Sequence, residues 1–404
     1  MFRLRHLFFL PSFYLLVTFT IAYVFYLSDV INWEQPPVEL HYWSIITVLS
    51  ALLSSLVHSK KVNTIINENT FRNNISTPFL TDNTRKLFLA GILIIGLLGV
   101  AKYVLDYSKF LGAFGVFYSI FMEDTGQLRT LAENVESVGT QLSYFSWLAA
   151  FIITVDVAAK NISKKYLFLV FFIILLNSIF LDRTRPIWII FTCALCYFIT
   201  TYQLYSRKKI VYFISGMIAS FVGLFILIGS LLGKGSSDES YTKFNLPKEV
   251  QPFFLYLTSS FAYLGRLFYY DAPNDYLPVR IAYPVTKLMS KFGLAEKPPN
   301  PILEFFTVPL LTNVGTFLEP FYQDGGRLFL AFGIILHTFL FDKIAMYFMN
   351  RISPASIIAI STLCFINFIA FFVPKVTTPA VWLILAFCFI LTKIDFPKTV
   401  KATT

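Results

Sequence analysis

Arg183 and Arg185 flank Thr184 in the segment Asp182-Arg183-Thr184-Arg185-Pro186. On either side the chain is apolar for long enough to cross a bilayer, from Tyr166 to Leu181 and from Ile187 to Tyr202. Guanidinium groups confined to so short a turn at a membrane surface are costly unless an anion compensates them. Their planar donor forks match phosphate oxygens two at a time, so the pair suits a phosphate or diphosphate carried on a lipid. The alternative is a solvated turn, with Arg183 paired to Asp182 and the other arginine reaching along the surface.

A second cluster follows much later, in Thr312-Asn313-Val314-Gly315-Thr316-Phe317-Leu318-Glu319-Pro320-Phe321-Tyr322-Gln323-Asp324-Gly325-Gly326-Arg327. Glu319 is a candidate base and Arg327 a candidate phosphate clamp. Asn313, Tyr322 and Asp324 put polar groups beside a tight turn made by the paired glycines. The same residues would also serve a plain membrane-entry cap, with Asp324 near a helix start and Arg327 snorkelling. A third candidate is a helix predicted over Phe253 to Tyr270. Ser259, Tyr263, Arg266 and Tyr270 fall on one face of it, with Asp271 just beyond. Rings beside a guanidinium stack on sugars while the cation holds phosphate, although tyrosines are common at membrane interfaces for simpler reasons. Arg280 and Arg129 are further arginines on the same predicted side.

These residues need a frame, and composition supplies it. The chain of 404 residues is 56% hydrophobic and 14% charged, which excludes an ordinary soluble domain. Ten helices are predicted, at about 7–28, 43–58, 86–106, 141–159, 165–181, 187–205, 210–232, 327–349, 354–373 and 378–393. The first imitates a signal peptide, but its apolar run is too long and it has no small-residue cleavage site. The short loops on one side carry most of the Lys and Arg, including Lys160 to Lys165 and Arg207-Lys208-Lys209, so that side is expected to be cytoplasmic, with both termini. The opposite side receives a medium loop, 107–140, and a long one, 233–326. The long loop is too aromatic for a disordered linker and is expected to cap the bundle. Within it, Ile302 to Phe317 reads as an apolar segment near the membrane surface. Residues 1–404 thus form one transmembrane domain, an all-α polytopic membrane protein. The net charge of +10 fits anionic lipid head groups, though positive-inside loops alone produce such a value.

Other signals carry no chemistry. Cys193 and Cys196 stand one helical turn apart inside a predicted span, where packing explains them. His6, His41, His58 and His337 are scattered without metal-ligand spacing. Gly229-Ser230-Leu231-Leu232-Gly233-Lys234 has too few intervening residues for a phosphate-binding loop and no hydroxyl after the lysine. Nothing points to nucleic acid.

In the order of these features the chain resembles bacterial O-antigen or oligosaccharide repeat-unit polymerases of the Wzy type. Members are similar in having ten or more spans, an arginine-bearing turn like that at Arg183 and Arg185, and a long late loop ending in a segment like Thr312 to Gly326. The resemblance implies a lipid-carrier glycosyltransferase architecture, GT-C-like and similar to the O-antigen ligases, in the bacterial inner membrane. It implies transfer of a growing glycan from undecaprenyl diphosphate to a repeat unit on a second such lipid, without metal or other cofactor. Arginines would stabilise the departing diphosphate, and a carboxylate would take the hydroxyl proton. Glu319, Asp271 and Asp324 are all open for that role. The implied partners are undecaprenyl-diphosphate-linked oligosaccharides, membrane lipids and a chain-length regulator protein. A ligase is a close rival, and a flippase for the same lipids a more distant one.

Overall fold

The computed structural model describes residues 4–67, 83–111, 137–180, 184–202, 212–213, 215–216, 219–220, 222–223, 226–227, 242–243, 247, 250–269, 277–299, 306–307, 311–312 and 314–394. These are overwhelmingly helical. The helices are α1 (Pro11–Leu27), α2 (Val38–Asn67), α3 (Asn83–Leu111), α4 (Val138–Leu142), α5 (Tyr144–Ala158), α6 (Leu167–Ser178) and α7 (Thr184–Thr201). There follow α8 (Gln251–Leu267), α9 (Tyr283–Lys291), α10 (Glu319–Ile335), α11 (Phe341–Met349), α12 (Pro354–Phe368) and α13 (Pro379–Ile394). Helix occupies nine of the ten predicted segments, and of the tenth, 210–232, only scattered helical residues are described. Five helical stretches are long and apolar enough to cross a membrane: Val38–Ile66, Lys86–Lys109, Val138–Ala158, Thr184–Thr201 and Glu319–Met349. The chain is accordingly read as a membrane protein. Part of the apolar 302–317 segment forms a short antiparallel hairpin, β1 (Phe306–Thr307) with β2 (Leu311–Thr312).

Every residue of α12 is buried. A helix apolar all round belongs at the centre of a bundle, and α12 packs against α1, α7, α11 and α13. Its start is fixed locally: the Ser353 hydroxyl accepts the Ser356 N–H at 3.2 Å, with Pro354 opening the first turn. A second buried helix, α5, packs against α3, α6 and α7. Between apolar helices in lipid, close fit rather than exclusion of water drives association. Gly96 and Gly99 on α3 provide that fit, because a Cβ there would come within 2.3 Å of the Ser146 backbone and 2.5 Å of the Ser143 backbone.

The stretch from Glu319 to Met349 is not one straight rod. Gly325 and Gly326 leave helical geometry, with φ of 60° at Gly326. A Cβ at Gly325 would meet the Phe329 ring at 2.5 Å, so glycine is favoured at 325 by sterics and at 326 by backbone conformation. The bend separates a short arm, Glu319 to Asp324, from the apolar helix that starts at Arg327. From Arg327 to Met349 there are already about 20 residues, enough to span by themselves. The bend thus sets the arm apart from the helix that can span. The α10–α11 helix also carries one π-helical turn, Leu336–Leu340, just before Asp342.

Candidate functional site

Glu319 opens the first turn of the arm, and Pro320 follows it. Phe321 and Tyr322 are buried and hold the arm down, Tyr322 with its ring edge-on to Phe268 at 4.8 Å. Glu319 is only 1% exposed, and its Oε1 has no hydrogen-bond partner. Burial pushes its carboxyl up to about 8, Arg280 pulls it down, and Asp324 pushes it further up. A helix N-terminus favours the carboxylate, but loss of water outweighs it here. With Arg280, Tyr283, Pro374 and Thr377, Glu319 lines a narrow cleft whose free space, about 10 Å³, admits little more than a water molecule as it stands.

Asp324 ends the same arm and has a different task. Its carboxylate accepts the Arg280 N–H at 2.8 and 3.0 Å and the Ile281 N–H at 2.8 Å. It thereby fixes the turn that brings Arg280 to the cleft. Burial raises the Asp324 carboxyl, and the Ile281 and Arg280 N–H groups oppose that shift. Arg280, Glu319 and Asp324, separated in the sequence, are thus brought together. Asp324 positions the cleft rather than presenting a base to it.

Arg185 is buried at the start of α7. Its guanidinium carbon lies 3.9 Å from the Phe180 ring centre, 5.4 Å from Tyr144 and 5.9 Å from Trp147, and Nη1 donates to Ser143 Oγ at 3.3 Å. The rings supply negative faces to the cation where water is scarce. A residue that sequence reasoning did not single out links this cage to the cleft. Lys375 is buried, and its Nζ donates to Oγ1 of Thr184, the first residue of α7, at 2.8 Å. The 3-10 turn Lys375–Thr377 also supplies Thr377 to the cleft. The only sequence signal was a lone lysine between two apolar stretches.

The remaining candidates lie elsewhere. The Arg327 fork is engaged by Glu39 of α2, Nε to Oε1 at 2.7 Å and Nη2 to Oε2 at 3.1 Å. Arg266 pairs with Glu34 at 3.9 Å. Tyr263 is 1% exposed and belongs to the core, so its ring is not offered to a sugar. Arg183, Arg129, Asn313, Tyr270 and Asp271 fall outside the described residues. Among the described residues no three His, Cys, Asp or Glu side chains converge as metal ligands. Comparison with protein-family models, curated proteins and solved structures gives no match.

Proposed function

We propose that this protein is a polymerase of lipid-linked oligosaccharide repeat units, working at the face of the bilayer on which the cleft opens. The observation that carries the reading is Glu319, a buried carboxyl with an unpartnered oxygen, facing a cleft that also holds Arg280. In an attack by a sugar hydroxyl on an anomeric carbon, Glu319 accepts the hydroxyl proton. Its acidity, shifted to about 8, suits a base working near neutrality. Arg280 faces the charge that grows on the departing diphosphate, and Arg183 and Arg185 are assigned to the same diphosphate from the α7 side. The ten-span, GT-C-like frame, the inner-membrane location and the cytoplasmic termini belong to this proposal. So do the undecaprenyl-diphosphate donors and the chain-length regulator partner.

A flippase would need ionisable groups open to a cavity among the spans. The buried Asp342 instead accepts bonds from the Ser12 N–H and from the Ser12 and Ser54 hydroxyls, and lies 3.4 Å from His58 Nδ1. That arrangement supports a tie between helices more than a transport path. The test has two parts. Purified protein given undecaprenyl-diphosphate-linked repeat units should extend them into chains, and Glu319→Gln should not. A deletion strain should show one repeat unit on the lipopolysaccharide core. Bare core would assign a ligase instead, and an unchanged ladder would sink both enzymes.

A further inference from the structure

We infer that α9 is an interfacial helix, seated in the outer part of the lipid bilayer beside the cleft. Its sides are reversed relative to those of a helix that packs on a soluble surface. Val285, Leu288, Met289 and Phe292 recur at i, i+3, i+4 and i+7, one continuous face. They are exposed, from 39% at Met289 to 73% at Phe292. The polar residues are the less exposed ones: Thr286, Lys287 and Ser290 are half-buried, Thr286 donating to the Val279 carbonyl at 3.0 Å and Lys287 Nζ lying 5.6 Å from the Tyr283 ring centre. A continuous apolar face turned outward is the pattern of a helix lying in the headgroup boundary.

Three observations select lipid as the occupant. First, α9 packs against α13, one of the apolar helices. Tyr283 at the start of α9 shares the cleft with Thr377, just before α13 begins, so α9 sits by that end of α13. Second, Trp382 in the first turns of α13 is 46% exposed while its indole N–H reaches the Val376 carbonyl at 2.8 Å. Half-exposed tryptophans of this kind mark the membrane–water boundary. Third, the exposed Lys291 ends the helix beside Phe292, a charge that suits anionic headgroups. The consequence for a lipid-linked substrate rests on the proposed function: α9 would hold the cleft mouth at the level where a diphosphate on a lipid tail arrives by lateral diffusion.

The test uses the full chain in phosphatidylethanolamine–phosphatidylglycerol vesicles, with an environment-sensitive fluorophore on Leu288→Cys or Phe292→Cys. The four native cysteines are buried, which directs the label to the new thiol. Both positions are exposed, so failure of one variant leaves the other to decide. The expected result is blue-shifted emission that is lost to quenchers attached to shallow acyl positions and kept against aqueous iodide. Quenching by iodide would put the face in water and overturn the inference. Protection from both quenchers would mean that protein, such as a second copy of the chain, covers the face, and would overturn it equally. None of these readings depends on activity. A lipid-seated α9 in a protein that polymerises nothing would leave this inference standing and remove the other.

Discussion

Glu319 and Asp342 are both hidden from solvent, and the chain treats them in opposite ways. Asp342 on α11 meets donors from two other helices. The Ser12 N–H reaches Oδ1 at 2.9 Å, and the Ser12 and Ser54 hydroxyls reach Oδ2 at 2.5 and 2.7 Å. The Ser12 N–H belongs to the first turn of α1, which otherwise lacks acceptors, so Asp342 caps one helix from another. Glu319 has the shelter without the donors. A buried polar atom without a partner costs roughly 1–3 kcal/mol, and native structures keep few of them, each answered by a bound water or ion, by strain or by a working role. Asp342 is thus a strut between helices, while Glu319 keeps a buried oxygen without a donor.

The largest effect expected from this contrast is on rate. Glu319→Gln keeps the shape and removes the base, so chain extension should fall by about 10²- to 10⁴-fold without loss of folded protein. In the wild type the rate should rise with pH through about 8, as Glu319 ionises, and the glutamine variant should lack that rise. Stability should move in the other direction. The folded state keeps the Glu319 proton up to about 8, while the unfolded chain releases it near 4.5. The folded protein therefore binds more protons across that window, and stability falls as pH rises through it. Thermal unfolding of wild type and Glu319→Gln should diverge between these values, the variant gaining as pH rises. Parallel melting curves would mean that the carboxyl is not shifted.

The same replacement logic at Asp342 should reverse the outcome. Asp342→Ala removes the acceptor of three donors, of which the Ser12 and Ser54 hydroxyls keep Ser55 and His58 as partners, so a loss of about 1–3 kcal/mol is expected. Activity per folded molecule should stay near wild type. Melting curves and specific activity in detergent check both halves. A stable but inactive Asp342→Ala would break the contrast, because the strut would then belong to the chemistry.

Sequence reasoning located most helices because long apolar stretches announce themselves whatever they pack against. It placed the start of α10 at Arg327, since hydropathy rises only after that residue. The preceding arm is helical for a tertiary reason, the burial of Phe321 and Tyr322. Glu319 and Arg280 were legible as candidates by type, but not their meeting, which depends on the Asp324 carboxylate taking two backbone N–H groups from a distant turn. Lys375 and Thr184 are 191 residues apart and His58 lies on a different helix from Asp342, so no local pattern could have joined either pair. Tyr263 matched the periodicity of a functional face equally well, and only packing shows that Tyr263 and Ser259 are turned inward.

Arg185 stands between the two cases, structurally enclosed yet placed by its turn for anion chemistry. Lysine would keep the charge but lose the flat contact with Phe180 and the bond to Ser143. A cation–π contact out of water is worth roughly 1–2 kcal/mol, so Arg185→Lys should lower stability by about that much. If the guanidinium also binds diphosphate, chain extension per folded molecule should drop as well. Stability loss with full specific activity would confine Arg185 to its cage.

The smallest effect is expected at Arg327, and it tests the rule by which the other arginines were ranked. Arg327 is as cationic as Arg280 and only three residues from Asp324, so proximity alone would make it a phosphate clamp. Its fork, however, is matched two oxygens to two donors by Glu39. A diphosphate would have to displace a carboxylate that already has the right geometry. Arg280 instead lines the cleft beside a buried carboxyl with an unpartnered oxygen. Arg327→Ala should therefore leave chain extension close to wild type, whereas Arg280→Ala should lower it by about 10²- to 10³-fold, as removal of one preorganised donor does elsewhere. Side-by-side rates on the same lipid-linked substrate decide the matter. If Arg327→Ala is the more damaged of the two, the ion pair with Glu39 opens during turnover, and the cleft around Glu319 is not where the diphosphate sits.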